Sequence, residues 1–142
     1  MIHRTELELH GTGETDVHDV TERAAATVIE SGVQEGCCTV FVAGSTAAVT
    51  TIEFEPGVVE DLKRTIEKLA PRGEKYAHDA AWGDGNGYSH VRAALVGPSL
   101  TVPIAEGRLV LGTWQQIVVL DFDNRPRRRR VLIQVTGERG SS

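Results

Sequence analysis

The last third of the chain is a series of short aliphatic and β-branched runs separated by turn residues, and this pattern restricts the fold more than any other feature. The runs are Leu100–Ile104, Leu109–Thr113, Gln115–Phe122 and Arg130–Thr136. Runs of this length and composition are typical of β-strands, and the Glu-Gly and Asp-Asn-Arg-Pro sequences between them favour turns. We therefore expect the chain after residue 99 to be β-structure.

The first two thirds mix strands with short helices. Apolar residues recur at helical spacing from Val20 to Ser31, with Asp19 as the N-cap and Gly32 as the terminator. The other expected elements are a strand at His3–Leu9, strands at Cys37–Ala43 and Ala47–Phe54, a second helix carrying Val59, Leu62, Ile66 and Leu69, and a third helix from Ser89 to about Leu95. The predicted fold class is α+β, with residues 1–137 as one domain and residues 138–142 as a flexible tail.

Composition and charge restrict the class of protein. The 142 residues are 40% hydrophobic and 25% charged, the net charge is -5 and the pI is near 5.5. These values predict one soluble domain, cytoplasmic by default, because no apolar run has the length of a membrane span and no secretory signal is present. An acidic chain lacks the broad positive potential that nucleic-acid binding requires. The adjacent Cys37 and Cys38 point to opposite faces of a strand, so we expect no disulfide between them.

Histidines, carboxylates and glycines are concentrated between His78 and His90. The glycine-rich part, 83–87, lacks the Gly-Lys-Ser/Thr of a Walker loop and the third glycine of a dinucleotide fingerprint, so both motifs are excluded. A glycine turn that leads into the amino end of a helix can still bind an anion through backbone N–H groups. The predicted anion-binding or cofactor-binding residues here are Gly85, Asn86, Gly87 and Arg92. A purely structural glycine turn is the alternative.

The two histidines of this segment are candidate metal ligands. The dipole at a helix amino terminus disfavours a charged imidazolium, so we expect His90 to be neutral and able to bind a metal ion. His78 lies in a predicted loop that is long enough to bring both rings together, and Asp84 adds an oxygen ligand. This set suits zinc or another divalent ion with open positions, although its spacing matches no compact motif. Histidines that form only structural hydrogen bonds are the alternative.

Three further features of the sequence bear on function. Glu53 ends a threonine-rich strand, where a carboxylate either faces a cleft or is solvated. Gln115 follows a tryptophan and offers an amide that can contact a ligand, while the tryptophan alone would be assigned to the core. The arginines of 127–130 would be divided between two strand faces and lie near Asp121 and Asp123 in sequence. Solvated ion pairing is therefore favoured over nucleic-acid binding.

Several segments together resemble the YjbQ-like family, small proteins described as secondary thiamine-phosphate synthases. The matching segments are 40–53, 70–71, 76–78, 84–90, 97–103, 107–116 and 127–129. The stretch Gly-Arg-Leu-Val-Leu-Gly-Thr-Trp-Gln that begins at Gly107 is highly specific. The resemblance implies a compact α+β fold on a mixed or antiparallel β-sandwich with two to three helices, a homotrimer, and histidines grouped with acidic residues that hold a metal ion.

The resemblance also implies a reaction, the joining of an aminopyrimidine diphosphate to a thiazole phosphate. A divalent ion, Mg²⁺ or Zn²⁺, and N–H donors would stabilise the departing diphosphate. Four positions match the family: two histidines, the acidic residue between them and a glutamate at a strand end. The implied catalytic residues are His78, Asp84, His90 and Glu53, of which the first three are the metal ligands. The implied substrate or cofactor contacts are Gly85, Asn86, Gly87, Arg92 and Gln115.

Two positions depart from the family's pattern. Ser45 stands where many members have a histidine, and Tyr88 stands where others in this branch carry a second histidine close to His90. Each difference removes a ligand or a general base. Two alternatives to synthesis therefore stay open: metal-assisted hydrolysis of a phosphorylated small molecule, and a non-catalytic trimer that binds a metal or a metabolite.

Overall fold

The computed structural model describes residues 1–140 and contains eight strands and four helices within them. The strands are β1 (Ile2–Gly11), β2 (Asp16–Asp19), β3 (Val33–Ala43), β4 (Ala47–Ile52), β5 (Ser99–Ala105), β6 (Arg108–Leu109), β7 (Gln116–Asp121) and β8 (Arg127–Arg139). The helices are α1 (Thr21–Ser31), α2 (Pro56–Leu69), α3 (Ala77–Trp82) and α4 (Gly87–Val96). The predicted α+β class is confirmed, with one helix more than expected.

The strands form two antiparallel sheets that pack against each other. The larger sheet has the order β1-β8-β3-β5-β6, and the smaller sheet has the order β2-β7-β4. Side chains of both sheets meet in the main core, where Val40 and Ile133 of the larger sheet and Val119 of the smaller sheet are fully buried. Helix α1 contributes Ala24 and Val28 to the same core. Burying each valine or isoleucine stabilises the fold by about 1.5–3 kcal/mol relative to leaving it exposed.

The smaller sheet is covered on both faces, which explains its sequence. Ile117 and Val119 belong to the main core, whereas Val118 and Leu120 belong to a second cluster formed with residues of α2 and α4. A strand that is buried on both faces has a continuous apolar sequence, as β7 does. Helix α4 and the loop before it therefore lie on the outer side of the smaller sheet.

Three segments differ from the sequence prediction. Residues 77–82 form α3, where a loop was expected, and Gly83 ends this helix in a left-handed conformation. Only Leu109 of the expected strand 109–113 is in a strand, because the backbone then turns and Gln115 N donates to Gly112 O at 3.1 Å. The short β2 was not predicted, and it forms because its residues pair with β7.

The last strand is longer than expected. It continues through Glu138 and Arg139, where we expected a flexible tail, because these residues pair with Glu35 and Val33 of β3. Arg139 Nε also donates to the carbonyl oxygen of Ser31 at 3.0 Å. The final two residues of the expected tail, 141 and 142, lie outside the described residues.

Two further expectations concern the cysteines and membrane spans. Cys37 and Cys38 are both free, as predicted, with Cys38 in the main core and Cys37 Sγ 3.2 Å from Thr136 Oγ1. Their side chains lie on opposite faces of β3, which prevents a bridge between neighbours in one strand. None of the helices within residues 1–140 has both the length and the apolar character of a membrane span.

Candidate metal site

Helices α3 and α4 bring the two predicted histidines together. His78 lies in the first turn of α3 and His90 in the first turn of α4. The centroids of their rings are 4.5 Å apart, and the ring planes are inclined by 39°. The His78 side chain is 29% exposed, so the pair is accessible from solvent.

Two carboxylates approach the same nitrogen of His78. Its Nδ1 lies 3.2 Å from Asp79 Oδ1 and 3.4 Å from Asp84 Oδ1. One ligand atom from each of these three residues lies within 4.8 Å of the other two, which is close enough for one cation to contact them all. Alternatively, Nδ1 donates to a carboxylate and leaves Nε2 free, the arrangement that orients many metal-binding histidines.

Asp79 was not among the predicted site residues. Its Oδ1 accepts a hydrogen bond from Gly87 N at 2.9 Å and faces His78 Nδ1, so one carboxylate joins α3 to the start of α4. The His-Asp pair was visible in the sequence, but the segment was expected to be a loop. Helix α3 is what directs Asp79 toward α4.

The backbone N–H groups before and at the start of α4 are occupied by the carboxylates of the site itself. The helix begins at Gly87, two residues before the expected Ser89. Asn86 N donates to Asp84 Oδ1 at 3.1 Å, and Gly87 N donates to Asp79. Carboxylates are stabilised at such a position by the N–H groups and the helix dipole. The backbone N–H groups of Asn86 and Gly87 therefore hold the acidic side chains in place and are not free for an external anion as predicted. Gly85 contributes a left-handed backbone conformation to the same loop.

Asn86 also attaches this loop to the end of the smaller sheet. Its buried side chain donates to Asp123 Oδ2 at 3.2 Å and accepts from Ser89 Oγ at 2.6 Å. Asp123 accepts a further bond from Thr46 Oγ1 at 2.9 Å. Burial raises the pKa of Asp123, but hydrogen bonds from Thr46 and Asn86 and the nearby charge of Arg127 outweigh burial and hold it below its ordinary value. The ionised carboxylate thus fixes the loop that carries Asp84.

Arg92 is bound to the body of the protein. It is 3% exposed, its Nε donates to Ala70 O at 3.0 Å, and its Nη1 donates to Thr15 Oγ1 at 3.1 Å. Its Nη2 forms an ion pair with Glu67 of α2. These contacts fasten α4 to the neighbouring elements, so Arg92 does not offer a free charge to a ligand as the sequence suggested.

Glu53 and Gln115 lie at the opposite end of the smaller sheet from the histidines. Gln116, the first residue of β7, pairs with Ile52 next to Glu53. Asp123, beyond the other end of β7, contacts the histidine loop through Asn86. From Gln116 to Asp123 the chain advances by seven steps, which at about 3.3 Å each span at most roughly 23 Å. The predicted set is therefore divided within one chain, with the histidines at one end and Glu53 and Gln115 at the other.

The chain matches a protein-family model described as UPF0047 protein YjbQ-like over residues 5–138. It belongs to this YjbQ-like family. A UPF0047 protein of Archaeoglobus fulgidus is 39% identical over 129 residues, which cover 91% of this chain and 98% of that protein. A UPF0047 protein of Mycobacterium tuberculosis is 40% identical over 126 residues, which cover 83% of this chain and 94% of that protein. The resemblance read from the sequence motifs is confirmed.

Solved structures of YjbQ-like proteins share the fold. A YbjQ-like protein of unknown function from Sulfolobus solfataricus is 28% identical, with a TM-score of 0.87 over 97% of this chain and 100% of that one. A YjbQ/UPF0047 protein from Clostridium acetobutylicum is 33% identical, with a TM-score of 0.85 over 93% of this chain and 99% of that one. The α+β arrangement is therefore that of the family.

Ser45 and Tyr88, which the sequence analysis expected to depart from the family's pattern, have different surroundings. Tyr88 is 2% exposed, its hydroxyl donates to Glu14 Oε1 at 3.1 Å, and its ring centroid lies 4.8 Å from the guanidinium carbon of Arg92. Ser45 is exposed in the turn between β3 and β4. Tyr88 is therefore a packing residue. The candidate metal ligands beside His90 are His78 and the two carboxylates near it.

Proposed function

We propose that this YjbQ-like protein binds a divalent cation at His78, Asp79 and Asp84, with His90 beside them, and acts on a phosphorylated small molecule. The supporting observation is that two carboxylates lie 3.2 and 3.4 Å from one imidazole nitrogen, next to a second imidazole ring. Imidazole nitrogen and carboxylate oxygen together suit Zn²⁺, and the carboxylates suit Mg²⁺. The repulsion between the two carboxylates is relieved by a cation.

The finer proposal is secondary thiamine-phosphate synthesis, supported by the family resemblance. The thiazole nitrogen attacks the methylene carbon of the aminopyrimidine diphosphate, so a C–N bond forms while the C–O bond breaks and diphosphate leaves with the electron pair. A bound divalent ion would supply neutralisation of the diphosphate charge. The acidic residues and His78 would hold the ion, and the ring of His90 beside them would orient the leaving oxygen.

Metal content tests the cation site. Tag-free protein is reloaded with Zn²⁺ or Mn²⁺, dialysed and subjected to elemental analysis. We expect the wild type to retain metal and the Asp84→Asn and His90→Ala variants to lose most of it. His10→Ala is the matched control, because the His10 side chain is 72% exposed and lies on β1. Wild-type protein without metal after reloading, or equal retention by all variants, contradicts the proposal.

Product analysis tests the reaction. The metal-loaded protein is incubated with both phosphorylated precursors, and we expect thiamine phosphate and diphosphate in equal amounts, with the rate reduced in Asp84→Asn. Release of phosphate without thiamine phosphate would identify the hydrolase instead. Tight binding without turnover across divalent ions would identify a non-catalytic binding protein.

We also propose that the protein is a homotrimer, as the family resemblance implies. Because Glu53 and the histidines lie near opposite ends of β7 within one chain, assembly with a second copy would allow Glu53 and Gln115 to approach the histidines of a neighbour. Light scattering should give three times the chain mass of 15.4 kDa. A monomeric mass across the concentration range contradicts the proposal.

A further inference from the structure

The turn between β3 and β4 leaves space beside one nitrogen of a buried guanidinium. A Cβ atom at Gly44 would lie 2.9 Å from Arg129 Nη1, so any other side chain at residue 44 would fill this space. The Arg129 side chain is only 7% exposed, and its Nη2 donates to Thr46 Oγ1 at 2.6 Å. The guanidinium therefore lies against the turn, with contacts to both Gly44 and Thr46.

Nη1 is the uncommitted nitrogen of Arg129. Nε and Nη2 both donate to the carboxylate of Asp121, at 2.9 and 2.8 Å, whereas Nη1 forms no hydrogen bond within residues 1–140. The only fully enclosed side-chain polar atom without a partner in this part of the chain is His3 Nε2, so Nη1 is open to solvent. A guanidinium that is fixed in this way presents its remaining N–H donors in a rigid geometry, which suits phosphate and carboxylate oxygens.

Arg127 places a second guanidinium beside the first. Residues 127 and 129 lie on the same face of β8, and both side chains approach Asp123 Oδ2, with Arg127 Nε at 3.2 Å and Arg129 Nη2 at 3.9 Å. The Nη atoms of Arg127 form no hydrogen bond with the described residues, and its side chain is 41% exposed. Asp121 and Asp123 balance the two positive charges. An anion would thus be held here by directed N–H donors and not by an excess of positive charge.

The turn itself adds donors from the backbone. Gly44 and Ser45 are exposed, and their N–H groups form no hydrogen bond within the part of the chain that the structure describes. Free N–H groups of successive residues in a turn are a common means of binding an anion. Backbone and guanidinium donors are therefore both available at this turn.

We propose that the 44–46 turn, Arg129 and Arg127 form a binding site for a phosphate group. The phosphate oxygens accept hydrogen bonds from Arg129 Nη1, from the N–H groups of the turn and from Arg127. The site uses none of the candidate metal ligands. The choice of a phosphate ester as the natural ligand rests on the proposed function, in which the substrate is phosphorylated.

Asn86 connects this site to the candidate metal site. Its side chain donates to Asp123 Oδ2 at 3.2 Å, and its backbone N–H donates to Asp84 Oδ1 at 3.1 Å. The carboxylate that both arginines approach is therefore one residue removed from a candidate metal ligand. A phosphorylated substrate can place one group at the cation and another at the turn.

Phosphate titration tests the site without a metal. Protein labelled with ¹⁵N is titrated with inorganic phosphate in the presence of a chelator, with chloride exchanged for phosphate at constant ionic strength. We expect saturable shifts of the Gly44 and Ser45 amide signals and of the Arg129 Nε signal. The absence of a saturable shift, or equal shifts with chloride alone, would overturn the proposal. Because the chelator removes metal ions, this result and the metal retention of the wild type can succeed or fail separately.

Two variants and one control locate the binding. Gly44→Ala puts a Cβ atom against Arg129 Nη1 and should weaken phosphate binding about tenfold, with metal retention unchanged, and Arg127→Gln should weaken it about fivefold. Arg128→Gln is the matched control and should bind like the wild type, because Arg128 is 80% exposed and lies on the opposite face of β8.

Arg127→Gln is the deciding variant if the amide spectrum of Gly44→Ala changes throughout the protein. Wild-type affinity in Arg127→Gln would overturn the proposal, as would wild-type affinity in a folded Gly44→Ala protein. Equal losses in Arg127→Gln and Arg128→Gln would assign the effect to the general charge of the arginine run and would also overturn it.

Discussion

Arg129 is buried, whereas the other three arginines of the 127–130 run are exposed. Alternation along β8 places Arg128 and Arg130 on the opposite face from Arg129. Its Nε and Nη2 donate to the two oxygens of Asp121 at 2.9 and 2.8 Å, and Nη2 also donates to Thr46 Oγ1. The sequence predicted both the division between faces and the pairing with neighbouring aspartates. It did not predict that one pair would lie in the interior, which follows from the position of β8 in the larger sheet.

Asp121→Asn should lower the free energy of unfolding by about 3 kcal/mol. The substitution removes the nearer negative charge beside a guanidinium that is only 7% exposed and leaves it only Asp123 Oδ2 at 3.9 Å, and a poorly compensated buried charge is costly. Urea denaturation measures the change. Glu6→Gln is the matched control, because it removes the exposed partner of Arg130 and should change stability little. Equal stability of Asp121→Asn and wild type would contradict the account.

Cys38 should be unreactive in the native protein. Burial, together with a smaller contribution from the neighbouring Cys37, raises the pKa of its thiol to about 11, so almost no thiolate forms at pH 8. A colourimetric thiol assay at pH 8 should show modification of Cys38 only after denaturant is added. The Cys37→Ser variant isolates this thiol. Rapid modification of native Cys37→Ser protein would show that the core around Cys38 opens readily.

At the scale of the elements, Gly87 sets how closely α4 approaches α3. A Cβ atom at this position would lie 2.6 Å from Tyr76 Cβ and 3.1 Å from Asp79 Oδ1. Contact at 2.6 Å is not tolerated, so only glycine lets the two helices meet. The same close approach brings Asp79 into hydrogen-bond distance of the Gly87 N–H group. Helix packing and the geometry of the candidate metal site therefore depend on one another.

Gly87→Ala should lower the free energy of unfolding by about 1–3 kcal/mol through overpacking and should reduce metal retention. Thermal unfolding and elemental analysis measure the two effects. Gly112→Ala is the control, because its added Cβ would meet the nearest atom, Gln115 Oε1, at an ordinary 3.5 Å. If Gly87→Ala keeps both stability and metal, the close contact between the helices does not hold the site together.

At the scale of the whole molecule, three carboxylates with lowered pKa values connect different layers of the fold. Burial raises the pKa of Asp16, but a hydrogen bond from Thr12 N and the charge of His18 outweigh burial and leave the pKa below its ordinary value. The pKa of Glu67 is likewise raised by burial and lowered more strongly by Arg92 and Arg72. Asp123 is the third of these groups. They attach β2, α2 and the loop after β7 to their neighbours, so their ionisation stabilises the assembled layers.

The protein should lose stability in acid. A carboxyl group whose pKa is lower in the folded protein than in the unfolded chain binds fewer protons in the folded state. Its contribution to stability is therefore complete above the unfolded-state pKa near 4, and it is lost as the pH falls through the folded-state pKa. Urea denaturation should give similar free energies at pH 7 and 5 and a decline between about pH 4 and 2. Asp123→Asn should be less stable at pH 7 and decline less in acid. An unchanged free energy at pH 2 would contradict the assignment.

The sequence alone determined most elements, the α+β class and the family, because these depend on local patterns. The spacing of Val59, Leu62, Ile66 and Leu69 predicts a helix, and α2 covers these residues. Alternation along a strand likewise predicted the opposite faces of Cys37 and Cys38. The sequence also predicted that the rings of His78 and His90 would meet, although His78 lies in α3 and not in the expected loop.

Only the tertiary structure decided which residues share a site. Asp79 joins the histidines because α3 forms and packs against α4, a contact that no local pattern reports. Arg92 forms an ion pair with Glu67, a residue 25 positions away in the chain. Glu53 is directed to the other end of the smaller sheet because β4 pairs antiparallel with β7. Distances between residues that are remote in sequence depend on strand order and helix packing, and these are fixed by burial of the whole core rather than by any segment alone.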